Sequence, residues 1–247
     1  MNINLYRQST SEQERNKSLA GLIPEQGNTC LDIGTRDGFF ALQMAERFVT
    51  VTALDLEKPD IQHPNIVCVK GNVIDLQFDD NSFDFVVCAE VLEHIPEPNL
   101  EKACREITRV AHNGVVIGVP YRQDIRVFRM ICLTCGGINP PWGHVNSFDE
   151  KKLIAMFTGL HVERIEYIGN SKNVTNWLST KLYDYSGNPF GTYSQEEPCI
   201  YCGARLLPPT SRSVSQRVAS KMAHTINRLQ QNFTQPHANW IHILFKK

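Results

Sequence analysis

Two short stretches carry ligand chemistry in their spacing: "CLTCGG" (132–137) and "CIYCGA" (199–204). Each sets two cysteines two residues apart and follows the second with glycine. Such a turn presents both sulfurs to one ion, and the glycine relieves the turn and lets backbone N–H groups approach sulfur. Two pairs supply the four thiolates of a tetrahedral zinc site, which makes Cys132, Cys135, Cys199 and Cys202 the candidate ligands. A redox dithiol is the rival reading, because Cys-x-x-Cys is also the oxidoreductase spacing. A four-thiolate site is coordinatively closed, so it would be structural and catalysis would fall to other residues.

A second group lies near the N-terminus. Gly34 and Gly38 in "GTRDG" let backbone approach a ligand closely, and a helix opening at Gly38 would point free N–H groups at it. Asp55, ending an apolar run, is placed to accept hydrogen bonds from ribose hydroxyls. The loop offers G-x-x-x-G, with Arg36 where a dinucleotide fingerprint has its middle glycine. That side chain leaves little room for a pyrophosphate, which disfavours NAD.

The elements that must position these groups follow from periodicity. A strand at 29–33, a turn, a helix over 39–48 and a strand at 49–56 make a mononucleotide-binding unit. Further strands are predicted at 65–70, from 85, at 114–120 and at 160–168, with helices over 99–111 and 148–159. Leu100, Ala103, Ile107 and Val110 share one face of the first of these helices.

The motifs "LDIGTRDG", "ALDLE", "GNVIDLQFDDNSFD" and "FVVCAEVLEHIPEP", in that order and spacing, resemble the class I S-adenosylmethionine-dependent methyltransferases across about residues 28–168. The resemblance implies an α/β fold: a doubly wound, seven-stranded, mostly parallel sheet, here joined by a small zinc-ribbon-like lobe and a C-terminal helix. It implies that Asp32, Gly34 and Thr35 hold the methionine part of the cofactor and that Asp55 takes the ribose. Asn72 and Val73 match the adenine position, where the family more often has Asp than Asn, and Glu90 ends the fourth strand beside the sulfonium. Gly38 and Leu56 complete the expected cofactor set. Glu93 and His94 either cap and orient the loop or touch substrate.

In this family's order, 239–247 is the seventh, antiparallel strand, and 121–147 and 169–238 are insertions within one domain spanning 1–247. Loops after the carboxyl ends of parallel strands open on the ligand side, so both cysteine pairs are expected over the substrate side, as one zinc-stapled lobe. In the first insertion, "WGHVNSF" resembles the His-containing helix entry of small-molecule members, and His144 is the candidate base or else a packing histidine. Tyr121 is the other candidate catalytic residue, and with Arg122 a candidate substrate contact.

Charge is nearly balanced overall, at −1, but unevenly spread: seven of 25 basic residues and none of 26 acidic ones lie from Arg205 to Lys247, leaving +7 there and −8 elsewhere. Val214, Val218, Met222, Ile226, Leu229 and Phe233 recur at helical spacing across 213–233. Their stripe is expected to dock on the domain or at a dimer seam, with Arg212, Arg217, Lys221 and Arg228 free for an anionic partner as the sharper alternative. No apolar run reaches the roughly 18 residues that span a bilayer and "MNINLYRQST" is not a secretory leader, so a cytoplasmic protein is expected. Cys30, Cys68, Cys88 and Cys104 stand singly in apolar or helical stretches and read as small hydrophobes.

The resemblance implies methyl transfer from S-adenosylmethionine to the oxygen or nitrogen of a small-molecule or carrier-held metabolite, an anionic or phosphate-bearing one included. Zinc would shape the acceptor pocket. An RNA methyltransferase gripping nucleic acid through the zinc lobe and basic tail is the alternative. The cysteine segments lack the clustered cations and aromatics of a stacking groove, which weighs against nucleic acid. A non-catalytic cofactor-binding or partner-recruiting protein is the third reading.

Overall fold

The computed structural model describes residues 9–127, 129–186, 197–207 and 211–247. The start of the chain, on which the leader reading partly rests, and parts of the second insertion lie outside them.

Seven strands form one sheet in the order β3-β2-β1-β4-β5-β9-β8. Those strands are β1 (Gly27–Ile33), β2 (Phe48–Asp55), β3 (Ile66–Lys70), β4 (Phe83–Ala89), β5 (Ala111–Pro120), β8 (His161–Ile168) and β9 (Trp240–Lys246), while β6 (Met130–Ile131) and β7 (Ile138–Asn139) form a separate antiparallel pair. The first five run parallel, and β9 inserts antiparallel between β5 and β8. Strand order reverses at β1, which pairs with both β2 and β4, and there the crevice beyond the carboxyl ends opens.

The central strands are apolar on both faces, as a covered parallel sheet requires. Leu31, Ile33, Val86, Cys88, Val115 and Ile117 pack under α3 (Glu97–Val110) and α4 (Glu150–Met156). Cys30, Phe85, Val87 and Val116 point to the opposite face, where α1 (Thr10–Leu22) brings Leu19 and Leu22 and α2 (Phe39–Met44) brings Ala41 and Met44. Cys30, Cys88 and Cys104 are buried free thiols within these clusters, as their apolar neighbours predicted.

Boundaries moved where local bonds intervene. The helix expected to reach 48 ends at Met44, because the Arg47 amide bonds the Met44 carbonyl and Phe48 already enters β2. Strand β5 begins at Ala111, directly after α3. Helix α4 is confined to Glu150–Met156, its start fixed by the Asp149 side chain accepting from the Lys152 amide.

The helical stripe near the C-terminus does not dock on the domain within this chain. Helix α6 (Val214–Gln231) lies against α5 (Trp177–Tyr185), but Ala219 and Ala223 are its buried residues. Met222 is 52% exposed and Phe233 90%, with Val214, Val218 and Leu229 also outward. Small side chains let the two helices approach, and polar pairs fix them: Tyr183 with His224 at 3.2 Å, Asn176 with Gln230 at 2.7 Å.

Candidate functional site

The loop after β1 is held by short bonds to β2. The amides of Gly34 and Thr35 donate to the Leu54 carbonyl, and Thr35 Oγ1 donates to Asp32 Oδ2 at 2.6 Å. Gly34 has φ +77°, and a Cβ there would stand 2.3 Å from Val91 Cγ2. Arg36 has φ +51°, so the position lacking the fingerprint glycine keeps a glycine-like backbone at a cost of roughly 1–2 kcal/mol. Asp55 is oriented by the amides of Arg36, at 2.8 Å, and Leu56, at 2.7 Å. Asn72 turns the next loop by accepting from the Ile74 amide.

One cavity of about 1060 Å³ joins these groups. Asp32, Gly34, Thr35, Asp55 and Leu56 line it at one end with Asn72 and Val73, and Glu90, Tyr121 and His144 line it further along. Gly38 does not: it caps α2 in the left-handed region (φ +79°), where a Cβ would meet Ile61 at 2.4 Å. Arg122 also lies outside the lining, over the Tyr121 ring and 3.5 Å from Glu150.

Burial sets the electrostatics. It pushes Asp32 up to about 6, against the hydrogen bond from Thr35 and with help from Asp55. Glu90 and Glu93 are raised chiefly by burial, with Arg15 opposing. Burial also lowers His144 to about 3, so its imidazole is neutral. Tyr121 is raised to about 12 by burial and by donating its hydroxyl to Glu150 at 2.7 Å, an arrangement that opposes a role as base.

Sequence reasoning missed the cover of this cavity. Helix α1 places Glu12, Arg15 and Asn16 in the lining, and Arg15 grips Glu12 with two bonds while standing 3.6 Å from Glu90. Ser9 caps the helix, and the pattern Ser9-x-x-Glu12 was a legible start signal. Trp240 and His237, from β9 and its approach, complete the wall.

The four clustered cysteines converge. Cys132 and Cys202 sulfurs are 3.7 Å apart and Cys135 and Cys199 3.6 Å, close to the edge of about 3.8 Å that follows from zinc–sulfur bonds of about 2.3 Å. Both turns are built alike. Gly136 and Gly203 have positive φ and donate to the carbonyls of Cys132 and Cys199, and the amides of those cysteines donate to Gly137 and Ala204. The amide of Gly137 and the side chain of Asn139 donate to sulfur. Among the described residues the donor set fits zinc.

Residues 31–118 match the family described as "Methyltransferase domain". Ubiquinone biosynthesis O-methyltransferase of Paracidovorax citrulli is 32% identical over 101 residues, 36% of this chain and 42% of that protein. The same-named protein of Idiomarina loihiensis is 35% identical over 89 residues, 32% and 37% of the two chains. The chain thus spans about two-fifths of the curated relatives it matches. A chain in the complex of the Haloferax volcanii Trm112 methyltransferase activator with a methyltransferase aligns at TM-score 0.55 and 14% identity, covering 98% of this chain and 92% of that one. N-methyltransferase NodS from Bradyrhizobium japonicum aligns at 0.55 and 14%, covering 98% of both. Residues 31–118 thus carry a methyltransferase domain, set in a seven-stranded sheet whose fold these solved methyltransferase structures share.

Proposed function

We propose that the chain transfers a methyl group from S-adenosylmethionine to an oxygen of a small-molecule or carrier-held metabolite, with a Cys132/Cys135/Cys199/Cys202 zinc site shaping the acceptor pocket. The single continuous cavity carries this reading, because it runs from the Asp32 and Asp55 end to the His94, Trp142 and His144 end. Oxygen is preferred to nitrogen because the curated relatives named above are O-methyltransferases.

When bound, the cofactor supplies an electrophilic methyl on a sulfonium. The chain's part is positioning. Asp55, pre-aimed by two amides, would take the ribose hydroxyls; the Gly34 and Thr35 loop with Asp32 would hold the methionine part; Asn72 and Val73 would flank adenine; and Glu90 would lie beside the sulfonium. His144, the candidate catalytic residue, and Tyr121 would bound the acceptor end. The two insertions meet there: a Cβ on Gly143 would lie 3.6 Å from both Glu197 and His94. Joining Cys132/Cys135 to Cys199/Cys202 would therefore tie the 121–147 and 169–238 segments into one cover.

The test is a labelled-methyl assay on fractionated native metabolites and RNA, beside calorimetry with S-adenosylmethionine. Label in a metabolite fraction is expected. Label only in RNA would transfer the assignment to nucleic acid, and absence of cofactor binding would overturn both.

A further inference from the structure

The buried turn after β4 contains a carboxylate with no partner. Glu93 is 0% exposed, and neither of its side-chain oxygens has a hydrogen bond among the described residues. Leaving both oxygens of a buried carboxyl unsatisfied forfeits the hydration that each had in the unfolded chain. A carboxyl kept there is therefore expected to have a cationic or donating partner of its own.

Two imidazoles stand beside it. One ligand atom each from Glu93, His94 and His144 lie within 4.8 Å of one another. The two rings meet edge to face at 4.6 Å between centroids. His144 Nδ1 is 2.7 Å from Gln123 Oε1, which only accepts, so Nδ1 carries the proton and Nε2 keeps its lone pair. A carbonyl that fixes the tautomer from behind is the support metal-ligating histidines characteristically receive. The frame is rigid: the Glu93 carbonyl accepts from the amides of Val145 and Asn146, and Asn146 Nδ2 bonds the Leu92 and Ile95 carbonyls.

We propose that Glu93, His94 and His144 form a second metal site, separate from the four cysteines, that takes one divalent transition cation such as Zn2+, Mn2+, Co2+ or Fe2+. Two imidazoles and one carboxylate suit these ions better than Mg2+ or Ca2+, which prefer all-oxygen shells. Three protein ligands leave coordination positions open, and His94 and His144 both face the main cavity. An acceptor oxygen could fill an open position and lose its proton more readily there. That last role rests on the methyl-transfer reading; the site itself does not.

The experiment uses the full chain with one equivalent of Zn2+ supplied for the thiolates, titrated with Mn2+ alone and followed by the loss of the free Mn2+ paramagnetic resonance signal. One further equivalent of Mn2+ is expected to bind, at least tenfold more weakly in Glu93→Gln and in His144→Ala. His94→Ala, at an exposed side chain, should give the same loss without disturbing the core, with unfolding temperature and cofactor calorimetry as controls. No binding at millimolar Mn2+, or equal binding by all three variants, overturns the site. A chain that binds S-adenosylmethionine but no Mn2+ loses this site alone, and one that binds Mn2+ but no cofactor loses the methyl-transfer reading alone.

Discussion

Asp32 is where a buried charge and the proposed cofactor meet. Its carboxyl, raised to about 6 by burial, is above the ordinary value near 3.9, so between those values the fold holds a proton that the unfolded chain has released. At neutral pH the fold bears the cost of an ionised, buried carboxylate. A cationic amino acid group beside it would favour the ionised form and draw the pKa down. Cofactor affinity should therefore fall as pH drops below about 6, with a proton released on binding near that pH; calorimetry in buffers of different ionisation enthalpy reads both. PH-independent affinity from 5 to 8 in an otherwise stable protein would detach Asp32 from the cofactor. Gly34 gives a sharper test. Gly34→Ala would drive a Cβ into Val91 at a positive φ, so cofactor binding should be lost and stability should drop by about 2 kcal/mol or more. Both residues were legible because a Gly-rich turn after a strand is local. Glu93 was legible as part of "EVLEHIP", but its closeness to His144 was not, since 51 positions separate them and only the meeting of two loops joins them.

At the scale of elements, the sheet was readable because strands buried on both faces need continuous apolar runs, and those runs end where turns begin. Helix α6 was readable as a helix but not as a packing surface. Spacing set Val218 and Met222 on a stripe expected to dock on the domain or at a dimer seam, whereas Ala219 and Ala223 are the residues buried within this chain, because closeness to α5 selects small side chains. Ala223, 0% exposed, should tolerate no extra volume: Ala223→Leu is expected to cost about 1–3 kcal/mol in chemical denaturation. Met222→Ser, on the outward stripe, should change stability by no more than about 0.5 kcal/mol. Reversed sensitivities would mean that the stripe is the docked face after all. Helix α1 was missed because its burial is sparse, with Glu12, Leu19 and Leu22 its buried residues, and it shows no strong amphipathic period despite its clear cap.

Across the whole molecule the cavity has two differently built ends. The Asp32, Asp55 and Asn72 end rests on β1, β2 and the loop after β3, held by the parallel sheet and its two helical layers. The proposed acceptor end rests on loops: the Glu93 carbonyl holds the amides of Val145 and Asn146, and Glu197, two residues before Cys199, stands beside Gly143. Leu206 and Met130 are the apolar residues buried with Cys132 and Cys199, so small a core that the lobe is expected to need the proposed zinc to hold it. Removing zinc should thus act on one end. After chelation, or in Cys132→Ser with Cys199→Ser, S-adenosylmethionine affinity should stay within about threefold of the intact chain while the acceptor's KM rises by tenfold or more. A hydrolysis-type role for that zinc would instead abolish kcat with KM unchanged. Loss of cofactor affinity in parallel with metal would show that the sheet and lobe form one cooperative unit. Two separately held ends should give two transitions in thermal unfolding of the zinc-free chain, the first lost when one equivalent of Zn2+ is restored.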